Sequence, residues 1–394
     1  MVIGLLFTIV FFPLVGRLVR GANAFLAGAG LTGLVLFVTM VWHVPMAITL
    51  AVLGLFAVLT LRRRFAPEPW TKDDIPLLIA SVFLLIASAV LPLADYDGRA
   101  FWMLKAKAIA HEGAIDGPFF HGRTAGNPRN EYPLLVPLDA AAVFTVAGDL
   151  DDRHTRWLFA SFAIAFAFEI RRRCGTSIGS WIAAAFLCLP QILLDSANGG
   201  ALSAYSDIAL GAFVACAFFE LMEDGEPWRF GFWIACVALT KNEGLPLAIL
   251  LLVVGAFVWR KRIVRALVIP AIAIAHLFVW RARIERSDEE NFARTLLDTP
   301  AQIERFADSL TRLLANIANV YDWGLAMLML AVAFFFARRG RMLAAAIIVP
   351  MLFLYAGAVA VSPWEAGTMD ALAPRVLTHL LGPLLFLFTP ARNR

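Results

Sequence analysis

The chain has 394 residues, 60% of them hydrophobic and 16% charged, with a mean hydropathy of +0.75. Apolar runs recurring at this density need lipid or one another as cover, so the composition excludes a water-soluble globule and predicts an all-α, polytopic transmembrane helical bundle. The formal charge of +4 and pI near 9.0 come mainly from arginines between the apolar runs, which speaks for insertion topology and against a nucleic-acid partner.

A spanning helix needs roughly 20 mostly apolar residues. In chain order the runs predict spans near 1–16, 22–41, 44–61, 75–94, 156–170, 177–194, 206–222, 230–240, 245–259, 266–280, 321–337, 342–361 and 376–390, thirteen crossings in a single domain, 1–394. The first run lacks a basic leader and an evident cleavage site and reads as a retained helix. Arg17, Arg20, Arg62 to Arg64, Arg171 to Arg173, the basic stretches 260–265 and 338–341, and the tail arginines Arg392 and Arg394 then fall on one side, which their excess marks as cytoplasmic. Two segments close this assignment. Residues 133–148 are apolar but short and read as an interfacial helix lying on the membrane. The run 230–259 would be roughly 45 Å long as one helix, with Lys241 and Glu243 near its middle, so it reads as two helices meeting at 241–244.

The segments 95–155, 195–205, 241–244, 281–320 and 362–375 accordingly face outward. In the first of them Asp95, Tyr96 and Asp97 follow directly on a span and open GRAFWMLKAKAIAHE, which reads as an amphipathic interfacial helix with Phe101 and Trp102 in the headgroup region. Lys105 and Lys107 point to opposite sides of that helix; Lys105, roughly 80° from Asp97 around the axis, is the one that can share a site with it. The segment 281–320 has helical periodicity over 300–316 and fits either a lid over the site or a solvated surface helix. Cys174, Cys188, Cys216 and Cys236 lack metal-ligand spacing and read as small hydrophobes.

An acidic residue just after an early span (DYDGRAFWMLKAKA), a second beside a proline-containing helix entry (NEYPLLVPL), YSD at 205–207 and ALTKNEGLP at 238–246 occur in one order over residues 75–260. In these features the chain resembles the GT-C superfamily of integral-membrane glycosyltransferases, which includes protein O-mannosyltransferases and lipid A aminoarabinose transferases. The C-terminal third is similar only in hydropathy and in the outward stretch PRVLTH, and the chain has no sizeable soluble C-terminal domain. The resemblance implies an inverting transfer of a sugar from a polyprenyl-phosphate carrier to a glycan, glycolipid or protein acceptor at the periplasmic face of the bacterial inner membrane, in cell-envelope glycan biosynthesis.

Carried over residue by residue, the resemblance implies Asp97 as general base with Asp95 its nearest substitute, Glu131 as the second acid, and Lys241 facing the carrier phosphate. Arg375 is a further phosphate partner, with Lys105, Tyr132, Glu243 and His379 near the same site. Mg²⁺ or Mn²⁺ stays open as a cofactor, because carboxylates near a phosphate can hold a divalent cation and lysines can supply the same positive charge.

Each residue also has a plainer reading. Asp97 could cap a helix N-terminus, Asp95 and Glu131 could be solvated surface acids, and Lys241 could snorkel or pair with Glu243. Lys105 could bind lipid headgroups, and Arg375 and His379, at i and i+4 on one helix face, could anchor at the interface. Asp207 falls near the cavity mouth, but YSD is too short to carry a role. Two other function classes remain: a transporter or flippase for a lipid-linked or anionic solute, and a noncatalytic lipid-binding subunit.

Overall fold

A computed structural model describes residues 1–61, 70–93, 95–121, 129–193, 199–285, 299–336, 340–361 and 368–385; the expectations for Arg62 to Arg64, Arg338, Arg339, Arg392, Arg394 and parts of the 281–320 and 362–375 segments lie outside the described residues. The described chain is all-helical. In order come α1 (Val2–Gly16, with a π turn at Phe7–Phe11), α2 (Ala24–Val41), α3 (Met46–Leu59) and α4 (Ile75–Val90, entered from a 3₁₀ turn). A π turn at Gly98–Met103 leads into α5 (Leu104–Glu112), followed by α6 (Leu135–Ala147), α7 (Arg156–Cys174), α8 (Thr176–Leu187) and α9 (Asp207–Met222). Then follow α10 (Pro227–Thr240), α11 (Gly244–Trp259), α12 (Val264–Arg281), α13 (Thr299–Asn316), α14 (Ala326–Phe336), α15 (Arg341–Val361) and α16 (Thr368–Leu385).

Helices apolar on every side must be enclosed by others. That is the state of α9, buried from Asp207 to Leu221, and of α10, buried from Phe230 to Thr240. Around them pack α2, α7, α11, α12 and α16. On the periphery α3, α4, α11, α12 and α15 expose large apolar side chains, among them Phe56, Phe83, Phe257 and Phe353. A face of that kind suits hydrocarbon and not water, and the architecture fits a helical membrane protein.

The expected thirteen crossings are not met. Among the described residues four helical runs, Ala24–Val41, Lys72–Val90, Gly244–Arg281 and Arg341–Val361, are long and apolar enough to cross a membrane. Arg260, at φ 46° and ψ −115°, divides the third of these into α11 and α12. Hydropathy marks where apolar helix lies but not how far it extends: at 1.5 Å per residue the 14 residues of α10 reach about 21 Å.

The helix break expected at 241–244 is present, with Lys241 extended between α10 and α11. The interfacial helix expected over 133–148 is different. α6 is enclosed from Leu135 to Phe144 and packs on α2 and α5, because LVPLDAAAVF has no polar stripe to turn toward water or headgroups. Asp139 in its middle is fully buried, and neither carboxylate oxygen has a hydrogen-bond partner among the described residues.

Successive helices carry polar groups to two ends of the bundle. At one end Arg171 pairs with Asp74, Arg172 and Arg173 with Glu169, Arg173 also with Glu223, and Arg229 with Glu220. At the other lie Asp97, the start of α9, the α10–α11 break and the end of α12, where Arg281 donates to Asn242. Asp207 and Glu220 stand at opposite ends of α9, about 20 Å apart at 1.5 Å per residue.

Candidate functional site

The site forms where six segments converge. The first is the π turn after α4, which delivers Asp97. Gly98 permits this: a Cβ there would run into the carbonyl oxygen of Ser203, so only glycine lets the turn lie against the 199–206 loop. The loop carries Tyr205 and leads into α9, whose first helical residue is Asp207, an acid placed where the helix dipole favours negative charge. The remaining segments contribute Arg129 and Tyr132 before α6, Lys241 to Glu243 between α10 and α11, Tyr355 on α15, and Arg375 with His379 on α16.

Asp207 is the hub. It is fully buried, and its Oδ1 accepts from Lys241 Nζ at 2.8 Å and from His379 Nε2 at 2.9 Å. Its Oδ2 accepts from Arg375 Nε at 3.3 Å. Lys241 lies 3.5 Å from Glu243, and Arg375 Nη1 reaches Asp97 Oδ2 at 3.4 Å. The Arg375 guanidinium also covers the Tyr205 ring at 4.4 Å, a cation–π contact worth about 1–2 kcal/mol when desolvated. Burial, and secondarily the nearby Asp97 carboxylate, push the Tyr205 phenol above its ordinary range.

In front of this cluster opens a cleft lined by Asp97, Phe101, Trp102, Lys105, Arg129, Tyr132, Glu243, Tyr355 and Arg375 together with apolar residues of α15 and α16. Its wall thus bears three cations and two carboxylates. Arg129 is held in a left-handed conformation, φ 74°, which costs a residue with a side chain about 1–2 kcal/mol. Its surroundings sustain it: the Arg129 carbonyl accepts from Lys105 Nζ and from the Tyr132 amide, and the guanidinium lies 5.3 Å from the Phe101 ring centre and 5.7 Å from that of Tyr132. A second, mostly apolar groove of about 1820 Å³ runs between α11 and α15 and shares Tyr132, Glu243, Tyr355 and Ala358 with the cleft.

Of the residues expected at a site, Asp97, Lys105, Tyr132, Glu243 and Arg375 line the cleft together. Lys241 and His379 stand behind it, both on Asp207, and Lys241 is 2% exposed. Asp95 and Glu131 are buried beside it and do not line it, so neither is a solvated surface acid; the Glu131 carbonyl accepts from Arg281 Nε. Asp97 makes no side-chain cap to the turn it precedes. Phe101 and Trp102 turn into the cleft and not to a headgroup layer, because with Tyr132 they form an aromatic cluster of their own. Lys107 points away and pairs with Asp152.

Sequence reasoning placed Asp207 near the cavity mouth without giving it a role, and it passed over Arg129 and Tyr355. Asp207 had a readable signal, a carboxylate opening a fully apolar helix, since such an acid needs partners within the protein. Tyr355 is one of only five tyrosines and sits inside an apolar run, where its hydroxyl requires a partner. Nothing in the local pattern marks Arg129. Among the described residues no cluster of three or more His, Cys, Asp or Glu side chains is arranged around a common metal position. No family model, curated protein or solved structure matches this chain.

Proposed function

We propose that the chain is a membrane glycosyltransferase of the GT-C kind, moving a sugar with inversion from a polyprenyl-phosphate carrier to a glycan, glycolipid or protein acceptor, with its site on the periplasmic side of a bacterial inner membrane. The observation that carries this reading is Asp97, a carboxylate 3.4 Å from Arg375 on the wall of a cleft that continues into an apolar groove. A phosphate seated among Arg375, Lys105 and Arg129 competes for the guanidinium and releases Asp97 from its pairing. The acceptor oxygen then attacks the anomeric carbon while its proton passes to Asp97. The bond from that carbon to the phosphate oxygen breaks, its electron pair leaves with the polyprenyl phosphate, and the added charge is met by the same cations. The lipid tail runs along the groove between α11 and α15. In this arrangement Arg375, and not Lys241, faces the phosphate; Lys241 keeps Asp207 ionised behind it.

Purified protein in vesicles, given labelled polyprenyl-phosphate sugar, should release the sugar to an acceptor or to water. Asp97→Asn should lower transfer at least about 10²-fold, the scale of a lost general base, and leave carrier binding within about twofold. Full activity in that variant removes Asp97 from the mechanism. The helix break with its buried Lys241–Asp207 pair also suits a transporter; movement of label across the vesicle without bond cleavage would decide for that reading.

A further inference from the structure

One tyrosine on the cleft wall has the hydrogen-bonding sense of its hydroxyl fixed from behind. Tyr355 lines both the cleft and the groove, and its hydroxyl lies 2.7 Å from His379 Nδ1. The other ring nitrogen, Nε2, is 2.9 Å from Asp207 Oδ1. With Lys241 at 2.8 Å and Arg375 at 3.3 Å, Asp207 is an ionised carboxylate and can only accept. Nε2 therefore carries the ring proton, and Nδ1 presents a lone pair. Tyr355 donates its only proton inward to that lone pair, so toward a ligand that reaches its oxygen it can only accept.

The polar groups of the cleft then sort by chemistry. Lys105, Arg129 and Arg375 donate and suit a phosphate; Asp97 and Glu243 are charged acceptors; Tyr355 is a neutral acceptor. The phosphodiester of a sugar-bearing carrier has no proton to give it, and the phosphomonoester of bare carrier, among three cations, is held ionised; a sugar has several hydroxyls. We infer that Tyr355 accepts a hydrogen bond from a sugar hydroxyl of the ligand and thereby distinguishes sugar-bearing carrier from bare carrier, with His379 and Asp207 as positioning residues that hold its proton inward. This rests on the glycosyl-donor reading above and adds to it the residue that reads the sugar.

The test compares binding of four lipids to the purified full chain in a detergent without a sugar headgroup: a short polyprenyl phosphate, and the same carrier bearing mannose, glucose or arabinose. The wild-type protein should bind at least one sugar-bearing lipid about tenfold tighter than bare carrier, on the order of one good hydrogen bond. Tyr355→Phe should abolish that margin while bare-carrier binding stays within twofold, and His379→Ala should do the same. Arg375→Ala should weaken all four lipids together. A merely structural role for Tyr355 would lower bare and sugar-bearing carriers alike, and that result, an intact margin in Tyr355→Phe, or no margin in the wild type overturns the inference. Binding of bare carrier with no preference for any sugar leaves a lipid-phosphate site standing, whereas failure of all four lipids to bind removes the glycosyl-donor reading itself.

Discussion

Asp207 holds the charge balance of the site in a place water does not reach. Its two cationic partners, Lys241 and Arg375, have in it their nearest carboxylate, at 2.8 and 3.3 Å, with Glu243 and Asp97 as the more distant seconds at 3.5 and 3.4 Å. Removing one member of a buried ion pair strands the others, at a cost of about 3–5 kcal/mol. Asp207→Asn should therefore lower stability by that order in a denaturing mixed-micelle titration, and adding Lys241→Met should restore part of it by removing one stranded charge. A double variant no more stable than the single one would show that the two do not act as a pair. The i and i+4 spacing of Arg375 and His379 made their common helix face legible in the sequence, but not its purpose. Both side chains meet a carboxylate 168 or more positions away in the chain, and no local pattern encodes that encounter. Asp97 misleads for the opposite reason: an acid before a helix looks like a cap, yet the first turn here is a π turn and the carboxylate reaches for Arg375.

At the level of elements, hydropathy located the helices well, and the charges of Lys241 and Glu243 inside an apolar run betrayed the α10–α11 break. Both follow from local composition. Whether a short apolar helix lies on a surface or is enclosed depends on its neighbours, and α6 was therefore misjudged. The groove between α11 and α15 was not readable at all, since it is the space two helices leave between them. Gly357 on α15 lines it, and a Cβ added there would meet nothing within 4 Å. Gly357→Phe should thus place a ring in the groove without disturbing packing. Stability should hold or rise by about 0.5–1 kcal/mol, because glycine is the poorer helix residue. If the groove holds the tail of the proposed polyprenyl donor, the KM for a long-chain donor should rise at least about tenfold, the order of one lost hydrophobic contact set, and a donor with a very short tail should be affected far less. Unchanged kinetics with the long donor would place the tail elsewhere.

Across the whole molecule the two polar ends face away from each other, one tied by arginine–glutamate pairs and the other opening into the cleft. Between them the helices that face outward are unequal: the 14 residues of α3 reach about 21 Å and the 21 residues of α15 about 32 Å, against the roughly 30 Å hydrocarbon layer of an ordinary bilayer. Lipid beside the short side must thin to meet it, and the thinning costs a fraction of a kcal/mol for each ångström of hydrophobic mismatch. Its activity should accordingly depend on acyl-chain length: reconstituted into phosphatidylcholines of increasing length, turnover should be highest in the shorter-chain lipids and fall as the chains grow. A flat profile would mean that the outer helices absorb the difference by tilting. In a native membrane the same mismatch would draw the protein toward thinner patches and soften the lipid at its rim, where the lipid-linked donor proposed above would enter.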